Sequence, residues 1–127
     1  MKKERLQILL VEDNDLFRDS LSELLQLDGR LEIAGVAADG DQALELVERL
    51  SPGAVLMDLS LPTISGYEAM RRIRDSHPEI FVVGMSTFDE DEVAGRLYAS
   101  GARGYVRKDL PPGTVVDTLL GLAAGRE

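Results

Sequence analysis

Cysteine and tryptophan are absent from the 127 residues of this chain, and histidine occurs once. The lack of cysteine excludes disulfides and thiolate chemistry, and it favours a reducing compartment, so we expect a cytoplasmic protein. The one histidine, His77, precedes Pro78. This pairing is typical of a loop, and we expect His77 to be an ordinary surface residue.

Long apolar runs and an excess of basic residues are also missing. The early run Leu6–Val11 is short and leads into Glu12 and Asp13, so we expect neither a signal peptide nor a membrane span. Lysine and arginine total 14 against 23 acids, a formal charge of −9. Such a field repels nucleic-acid backbones and suits a cation or a basic partner surface. The length is that of one domain.

The most informative stretch is an apolar run that ends in an acid. Residues Ala54–Met57 lead directly into Asp58, and Pro62 prevents the strand from continuing. Burying a carboxylate requires a partner or an ion, yet the carboxyl ends of strands in open α/β sheets face the crevice where ligands bind. We therefore expect Asp58 to carry chemistry; capping the next turn is the alternative.

Strand and helix patterns alternate five times along the chain. The predicted strands cover residues 6–12, 31–37, 54–58, 80–86 and 105–107. The predicted helices begin after Asn14, Asp39 and Ser65, near Glu90 and at Pro112, and Gly29 is expected to end the first. Units of this kind without hairpin signals predict a parallel sheet with helices on both faces and right-handed crossovers. Gly84 inside the fourth strand indicates either a close backbone approach or neutral drift.

Polar side chains end the predicted strands and should share one edge of the sheet. They are Glu12 and Asp13, Asp58, Ser86 and Thr87, and Lys108. Three neighbouring carboxylates repel one another unless a cation neutralises them, and oxygen ligands without histidine or cysteine select Mg²⁺. A lysine and a hydroxyl can hold anionic oxygens. This set suffices for phosphoryl transfer to a carboxylate, a nucleophile that is already ionised.

Together these motifs resemble the receiver domain of two-component response regulators over essentially the whole chain. The matching motifs are Val11–Asp13, Met57–Pro62 with Gly66, Ser86 with Thr87, and Gly104–Lys108. The resemblance implies a single doubly wound α/β domain over residues 1–127, with a flavodoxin-like five-stranded parallel sheet in the order 2-1-3-4-5.

The resemblance also implies a metal site and an acceptor. Asp58 would take a phosphoryl group from a sensor histidine kinase. Asp13, Asp58 and the backbone carbonyl of Ser60 would bind Mg²⁺, and Glu12 would reach the ion through water. The only reactions expected are the domain's own Mg²⁺-dependent phosphorylation and dephosphorylation, so the chain is not predicted to be an enzyme.

Three further residues gain switching roles from the same resemblance. Lys108 would pair with the phosphoryl oxygens, Ser86 would bond the phosphoryl group and draw its loop inward, and Tyr105 would follow as the switch aromatic. Each role has a simpler alternative: a polar strand exit for Glu12 and Asp13, a helix cap for Ser86, a core aromatic for Tyr105, a solvated cation for Lys108.

The surface expected to change is the face of the fourth helix, fifth strand and fifth helix. Its candidate contacts are Val93, Arg96, Leu97, Tyr98 and Arg107, with core packing as the alternative. A partner or a second copy would dock there on phosphorylation, although the first and fifth helices could equally carry a dimer. Phe88 prompts a further hypothesis, that a bulky group near Ser86 restricts the water that hydrolyses the acyl phosphate.

Two features of the C-terminal part of the sequence bear on the subgroup within the family. Asp109 stands where the family often has proline, which puts the local peptide geometry in question, yet Lys108-Asp109 and the ending Leu122–Glu127 resemble the NarL/FixJ subgroup. We therefore expect a longer transcription regulator that binds DNA only through a helix-turn-helix domain beyond this chain.

The rivals are an aspartyl-phosphate phosphatase or phosphotransferase, a flavodoxin-type FMN binder and an unphosphorylated structural receiver. Ser60 argues against the first, because such enzymes often carry a second aspartate there. Glu12–Asp15 would repel the phosphate of FMN, and the complete acidic set argues against the third.

Overall fold

The computed structural model describes residues 5–61, 64–87 and 90–125, with the backbone alone described for 90–94. The strands are β1 Leu6–Val11, β2 Leu31–Ala37, β3 Ala54–Asp58, β4 Phe81–Ser86 and β5 Gly104–Arg107. The helices are α1 Asp15–Gln26, α2 Gly40–Leu50, α3 Gly66–Ser76, α4 Glu90–Ala99 and α5 Pro112–Gly125. Neighbouring strands pair in parallel in the order β2-β1-β3-β4-β5. The predicted fold class and strand order are confirmed.

Short polar side chains start three of the helices, as predicted. The side chains of Asn14, Asp39 and Ser65 each accept a hydrogen bond from the backbone N–H three residues later. Such caps satisfy amide groups that have no partner within the helix, and each is worth about 1 kcal/mol. Pro112 is the first residue of α5, where its missing N–H costs no hydrogen bond.

The end of α1 differs from the prediction. The helix stops at Gln26, before Gly29, because the N–H groups of Leu27 and Asp28 bond to nearby carbonyls of the last turn. Asp28 then pairs with Arg30, which fixes the turn into β2. The remaining boundaries move by a residue or two, since β1 ends at Val11 and β4 begins at Phe81.

Two apolar layers enclose the sheet and leave its central strands almost wholly buried. Alternate residues of β1 face opposite layers: Leu9 packs toward α2 and α3, and Ile8 packs toward α1 and α5. All five residues of β3 are buried, with Asp58 at its carboxyl end. The carboxylate of Asp58 therefore lies at the edge of the sheet, at the end of an otherwise apolar strand.

Gly84 in β4 is needed for a close approach, which resolves its ambiguity in the sequence. A Cβ atom at this position would lie 2.7 Å from Cδ2 of Leu97 and 3.3 Å from Cε of Met70. Leu97 is fully buried, so the core-packing alternative holds for it rather than a partner contact. Tyr98 remains on the surface at 52% exposure, and the side chain of Val93 lies outside the described part of the chain.

His77 lies at the surface, as expected, and it has a specific partner there. Its side chain is 21% exposed, with Nε2 at 2.7 Å from Oε2 of Glu48 and Nδ1 at 3.6 Å from Oε2 of Glu79. It caps α3 and thereby connects that helix to α2. The sequence did not reveal this contact, because Glu48 lies far from His77 along the chain.

The structure also bears on the Lys108–Asp109 peptide bond and on the expectation of no membrane span. Peptide bonds throughout the described residues are trans, including Lys108–Asp109. Within those same residues, no helix combines the length and the apolarity needed to cross a bilayer.

Candidate functional site

Three carboxylates meet at the carboxyl edge of the sheet, as the sequence predicted. Glu12 follows β1, Asp58 ends β3, and Asp13 lies in the loop toward α1. One oxygen from each of the three lies within 4.8 Å of the others. Glu12 and Asp58 are buried and Asp13 is exposed, so the cluster opens to solvent on one side. Three oxygen donors at this spacing, with no nitrogen or sulfur donor among them, fit a hard divalent cation such as Mg²⁺.

Lys108 joins the two buried acids. Its Nζ lies 2.8 Å from Oε1 of Glu12 and 3.1 Å from Oδ2 of Asp58, and its side chain is only 17% exposed. The Lys108 N–H donates to the carbonyl of Ser86 at 2.9 Å, so the pairing of β4 with β5 brings the lysine to the acids. Lys108 is therefore an internal counter-ion, and the solvated-cation alternative does not hold.

The titration of the buried pair reflects two opposed effects. Burial raises the pKa of the Glu12 carboxyl and the nearby charge of Asp58 adds to the rise, against the hydrogen bonds from Lys108 and Asn14. Burial by itself would lower the pKa of the Lys108 ammonium, but its contacts with Glu12 and Asp58 outweigh burial and raise that pKa. The ammonium thus stays charged between the two acids.

The loop from β1 to α1 is fixed by contacts that the sequence did not reveal. The Asn14 N–H donates to Oε2 of Glu12 at 3.0 Å, and Arg18 Nη1 donates to the Glu12 backbone carbonyl at 3.0 Å. Arg18 also donates to Oδ1 of Asp15 at 2.8 Å. Arg18 lies four residues after the cap Asn14 and so on the same helix face, a spacing that could have identified it.

The loop after β3 holds Asp58 by its own backbone. The Ser60 N–H donates to Oδ1 of Asp58 at 3.1 Å, and the Leu59 N–H donates to the carbonyl of Met85 at 3.1 Å. A Cβ on Gly66 would lie 2.5 Å from the Asp58 carbonyl oxygen, so α3 can begin this close only with glycine. Pro62 of the same motif lies outside the described residues.

Ser86 and Tyr105 occupy the neighbouring strands on the far side of Asp58. Ser86 is buried at the end of β4, which pairs with β3. Tyr105 on β5 is half-buried and packs against the apolar layer of α2 and α3. The structure therefore places both predicted switch residues on the β4–β5 side of the acceptor, whereas Phe88 lies outside the described residues.

The fold and the site can now be compared with known proteins. The family profile described as the response regulator receiver domain matches residues 8–120. The chain belongs to this family. It is 36% identical over 122 residues to the response regulator GacA of Pseudomonas viridiflava, covering 95% of this chain and 56% of that protein. It is 28% identical over 125 residues to the transcriptional regulatory protein DegU of Brevibacillus brevis, covering 98% and 53%.

A solved receiver domain has nearly the same backbone. The signal receiver domain of the response regulator NarL from Mycobacterium tuberculosis superposes with a TM-score of 0.91 at 28% identity, covering 97% of this chain and 99% of that one. The predicted family and its likeness to the NarL subgroup are thus confirmed. The receiver domain spans about half the length of the two curated relatives described above.

Proposed function

We propose that Asp58 accepts a phosphoryl group from a sensor histidine kinase and that the receiver domain transmits this event to an output. The observation that supports the proposal is the placement of Asp58: a nearly buried carboxylate at a strand end, 3.1 Å from the Lys108 ammonium and beside Glu12 and Asp13. An isolated buried acid is costly, and this one lies where an anionic substrate can enter.

The acidic cluster is the candidate Mg²⁺ site. Asp13, Asp58 and the backbone carbonyl of Ser60 would hold the ion, with Glu12 reaching it through water. These residues would hold Mg²⁺, which would supply positive charge between the carboxylates and the phosphoryl oxygens. Of the three carboxylates in the cluster, Asp13 is exposed, so the ion could enter from solvent on that side.

In the transfer, an Asp58 oxygen attacks the phosphorus of the kinase's phosphohistidine. The new O–P bond forms as the P–N bond breaks, and the departing imidazole keeps the electron pair. No general base is needed, because the attacking carboxylate is already ionised. The Lys108 ammonium then exchanges its contact with the Asp58 oxygen for one with a phosphoryl oxygen.

The response would begin at Ser86. Its hydroxyl would donate to the new phosphoryl group and draw the loop after β4 inward, and Tyr105 would follow. This is a local charge event that biases a two-state element. The surface that changes would be the α4–β5–α5 face, on which Tyr98 is exposed. Arg96 of α4 lies instead 4.0 Å from the ring centroid of Tyr67 on α3.

The output would be transcription, through a helix-turn-helix domain outside this chain. DegU is by name a transcriptional regulator, and the receiver spans only half its length. A second copy would dock either on the α4–β5–α5 face or on the face of α1 and α5. Support for the latter comes from three leucines that are more than two-fifths exposed on or near it: Leu24, Leu27 and Leu110.

Turnover of outside substrates is not part of the proposal. Ser60 stands two residues after Asp58, where aspartyl-phosphate phosphatases often carry an acid, and here its N–H donates to Asp58. The chain would act only on its own phosphorylation and dephosphorylation.

Beryllofluoride with Mg²⁺ tests the acceptor and the switch together, because it mimics an acyl phosphate on an aspartate. We expect the amide resonances of Ser86 and Tyr105 to shift in the wild-type protein, and not in Asp58→Asn. Shifts confined to the acidic cluster would support ion binding without switching. Equal shifts in the wild type and Asp58→Asn would contradict the choice of acceptor.

A further inference from the structure

Lys108 has an aromatic neighbour in addition to its two carboxylates. Its Nζ lies 5.0 Å from the ring centroid of Phe17 on α1. A cation within about 6 Å of a ring face is attracted by the ring quadrupole. We propose that Phe17 is a positioning residue that holds the Lys108 ammonium at the acceptor carboxylate. The inference rests on the proposed phosphoryl transfer and adds to it a residue of α1 that lies outside the acidic cluster.

Phe17 is fixed to the same loop as the acids. Its N–H donates to Oδ1 of Asn14 at 2.9 Å, and the Asn14 N–H donates to Oε2 of Glu12 at 3.0 Å. Asn14 thus links Phe17 to Glu12, one of the two acids that contact Lys108.

The space around the lysine stem explains why a restraint matters. A cavity of about 170 Å³ lies between α1, the ends of β4 and β5, and the start of α5. Phe17 and Lys108 both line it, together with apolar side chains that include Leu21, Met85 and Val106. A flexible lysine stem beside an apolar cavity can withdraw its methylene groups into it. Because Phe17 lines the same cavity, its ring would limit this withdrawal and keep the ammonium next to Asp58.

The same geometry predicts when the ring contributes most. Before transfer, Glu12 and Asp58 hold the ammonium by charge. During transfer the ammonium leaves the Asp58 oxygen for the phosphoryl oxygen. The Phe17 contact requires no hydrogen bond and persists through this exchange, so its loss should slow transfer.

Two Phe17 variants and one matched control test the inference. Phe17→Leu removes the ring, and Phe17→Tyr keeps it. The control, Phe81→Leu, removes a different ring at the start of β4, whose centroid lies 5.9 Å from Cζ of Arg103. Circular dichroism and thermal melting confirm that each variant is folded. The readouts are the ¹H shifts of the Lys108 ε-methylene group and the rate of phosphorylation by acetyl phosphate with Mg²⁺.

We expect the upfield ring-current shift of the Lys108 ε-protons to disappear in Phe17→Leu and to remain in Phe17→Tyr and Phe81→Leu. Phosphorylation should slow about fivefold in Phe17→Leu, equivalent to about 1 kcal/mol in the barrier, and return to within about twofold in Phe17→Tyr. Mg²⁺ affinity should not fall in Phe17→Leu, because Phe17 lends no oxygen to the acidic cluster and a less restrained Lys108 competes less for Asp58.

An unchanged phosphorylation rate in Phe17→Leu, or equal slowing in Phe81→Leu, would overturn the positioning role while leaving the proposed function standing. If the wild type itself takes no phosphoryl group, the proposed function fails. The ε-proton shifts separate that failure from a failure of the ring contact, because they show without any phosphorylation whether Phe17 holds the ammonium.

Discussion

Lys108 is the internal cation of the acidic site. Glu12 is fully buried, and a buried carboxylate without a partner is strongly unfavourable. The ammonium lies 2.8 Å from an oxygen of Glu12 and 3.1 Å from an oxygen of Asp58, so an arriving divalent ion must compete with it for Asp58. As a single residue, the lysine offsets the charge of both acids and should weaken the binding of Mg²⁺.

This competition gives a prediction for Lys108→Met, which keeps most of the apolar stem. We expect Mg²⁺ to bind about tenfold more tightly, since a unit charge a few ångströms from the ion is removed and tenfold corresponds to about 1.4 kcal/mol. Isothermal titration calorimetry measures the affinity.

The matched control is Arg107→Met, which changes the net charge equally but removes a cation paired with Asp109 at 2.7 Å. Unchanged or weaker Mg²⁺ binding in Lys108→Met would contradict the competition. Equal tightening in both variants would assign the effect to net charge.

The His77–Glu48 pair should make stability depend on pH. The hydrogen bond to Glu48 raises the pKa of His77 above its ordinary 6.5, and the charge of Glu79 adds to the effect. A raised folded-state pKa stabilises the fold fully below the unfolded pKa, and this contribution disappears as pH rises through the folded value.

We therefore expect the melting temperature of the wild type to exceed that of Glu48→Gln by about 1–3 °C near pH 5.5, and by less near pH 9. Glu79→Gln, whose carboxylate lies farther from the ring, should show a smaller difference. A difference that stays constant across this range would show that His77 does not titrate against Glu48.

Among the elements, β4 and α4 pack closely together at Gly84, which has no side chain. Leu97 of α4 occupies the space over Gly84, two residues before the predicted switch residue Ser86. A methyl group here meets buried side chains, so α4 and β4 would have to separate or Leu97 would have to adopt a strained rotamer. The position of α4 against the sheet therefore depends on β4, the strand that ends in Ser86.

Gly84→Ala should consequently lower the free energy of unfolding by up to about 2.5 kcal/mol, as overpacking costs about 1–3 and the lost chain entropy of glycine offsets about 0.5–1. Gly95→Ala on α4 is the control, because a Cβ there meets nothing within 4 Å and should stabilise the helix by about 0.5–1 kcal/mol. Urea denaturation measures both. A Gly84→Ala variant stabilised as much as Gly95→Ala would contradict the close approach.

Most elements and the site could be predicted from sequence because their signals are local. The run into Asp58 marked a buried strand that ends in a carboxylate, and Asn14, Asp39 and Ser65 marked helix starts. The contacts that escaped prediction join residues distant in sequence: Lys108 with Glu12, His77 with Glu48, and Leu97 with Gly84. Charge and hydropathy identify such residues, but only the packing of elements selects their partners.

In the whole molecule, charge and topology support one account. The chain carries a formal charge of −9, and its acids include a cluster of three at the carboxyl edge of the sheet. Parallel winding brings β1, β3 and β5 together there, so residues from the start, middle and end of the chain form one site. We propose that a change at Asp58 reaches the surface through β4 and β5.

The most direct test is the intact mass of the protein after incubation with acetyl phosphate and Mg²⁺, beside Asp58→Asn and a sample without Mg²⁺. The account predicts one added phosphoryl group on the wild type, and none on Asp58→Asn or without the ion. A phosphoryl group on Asp58→Asn equal to that on the wild type, or a wild type that binds Mg²⁺ yet gains no mass from any phosphodonor, would contradict it.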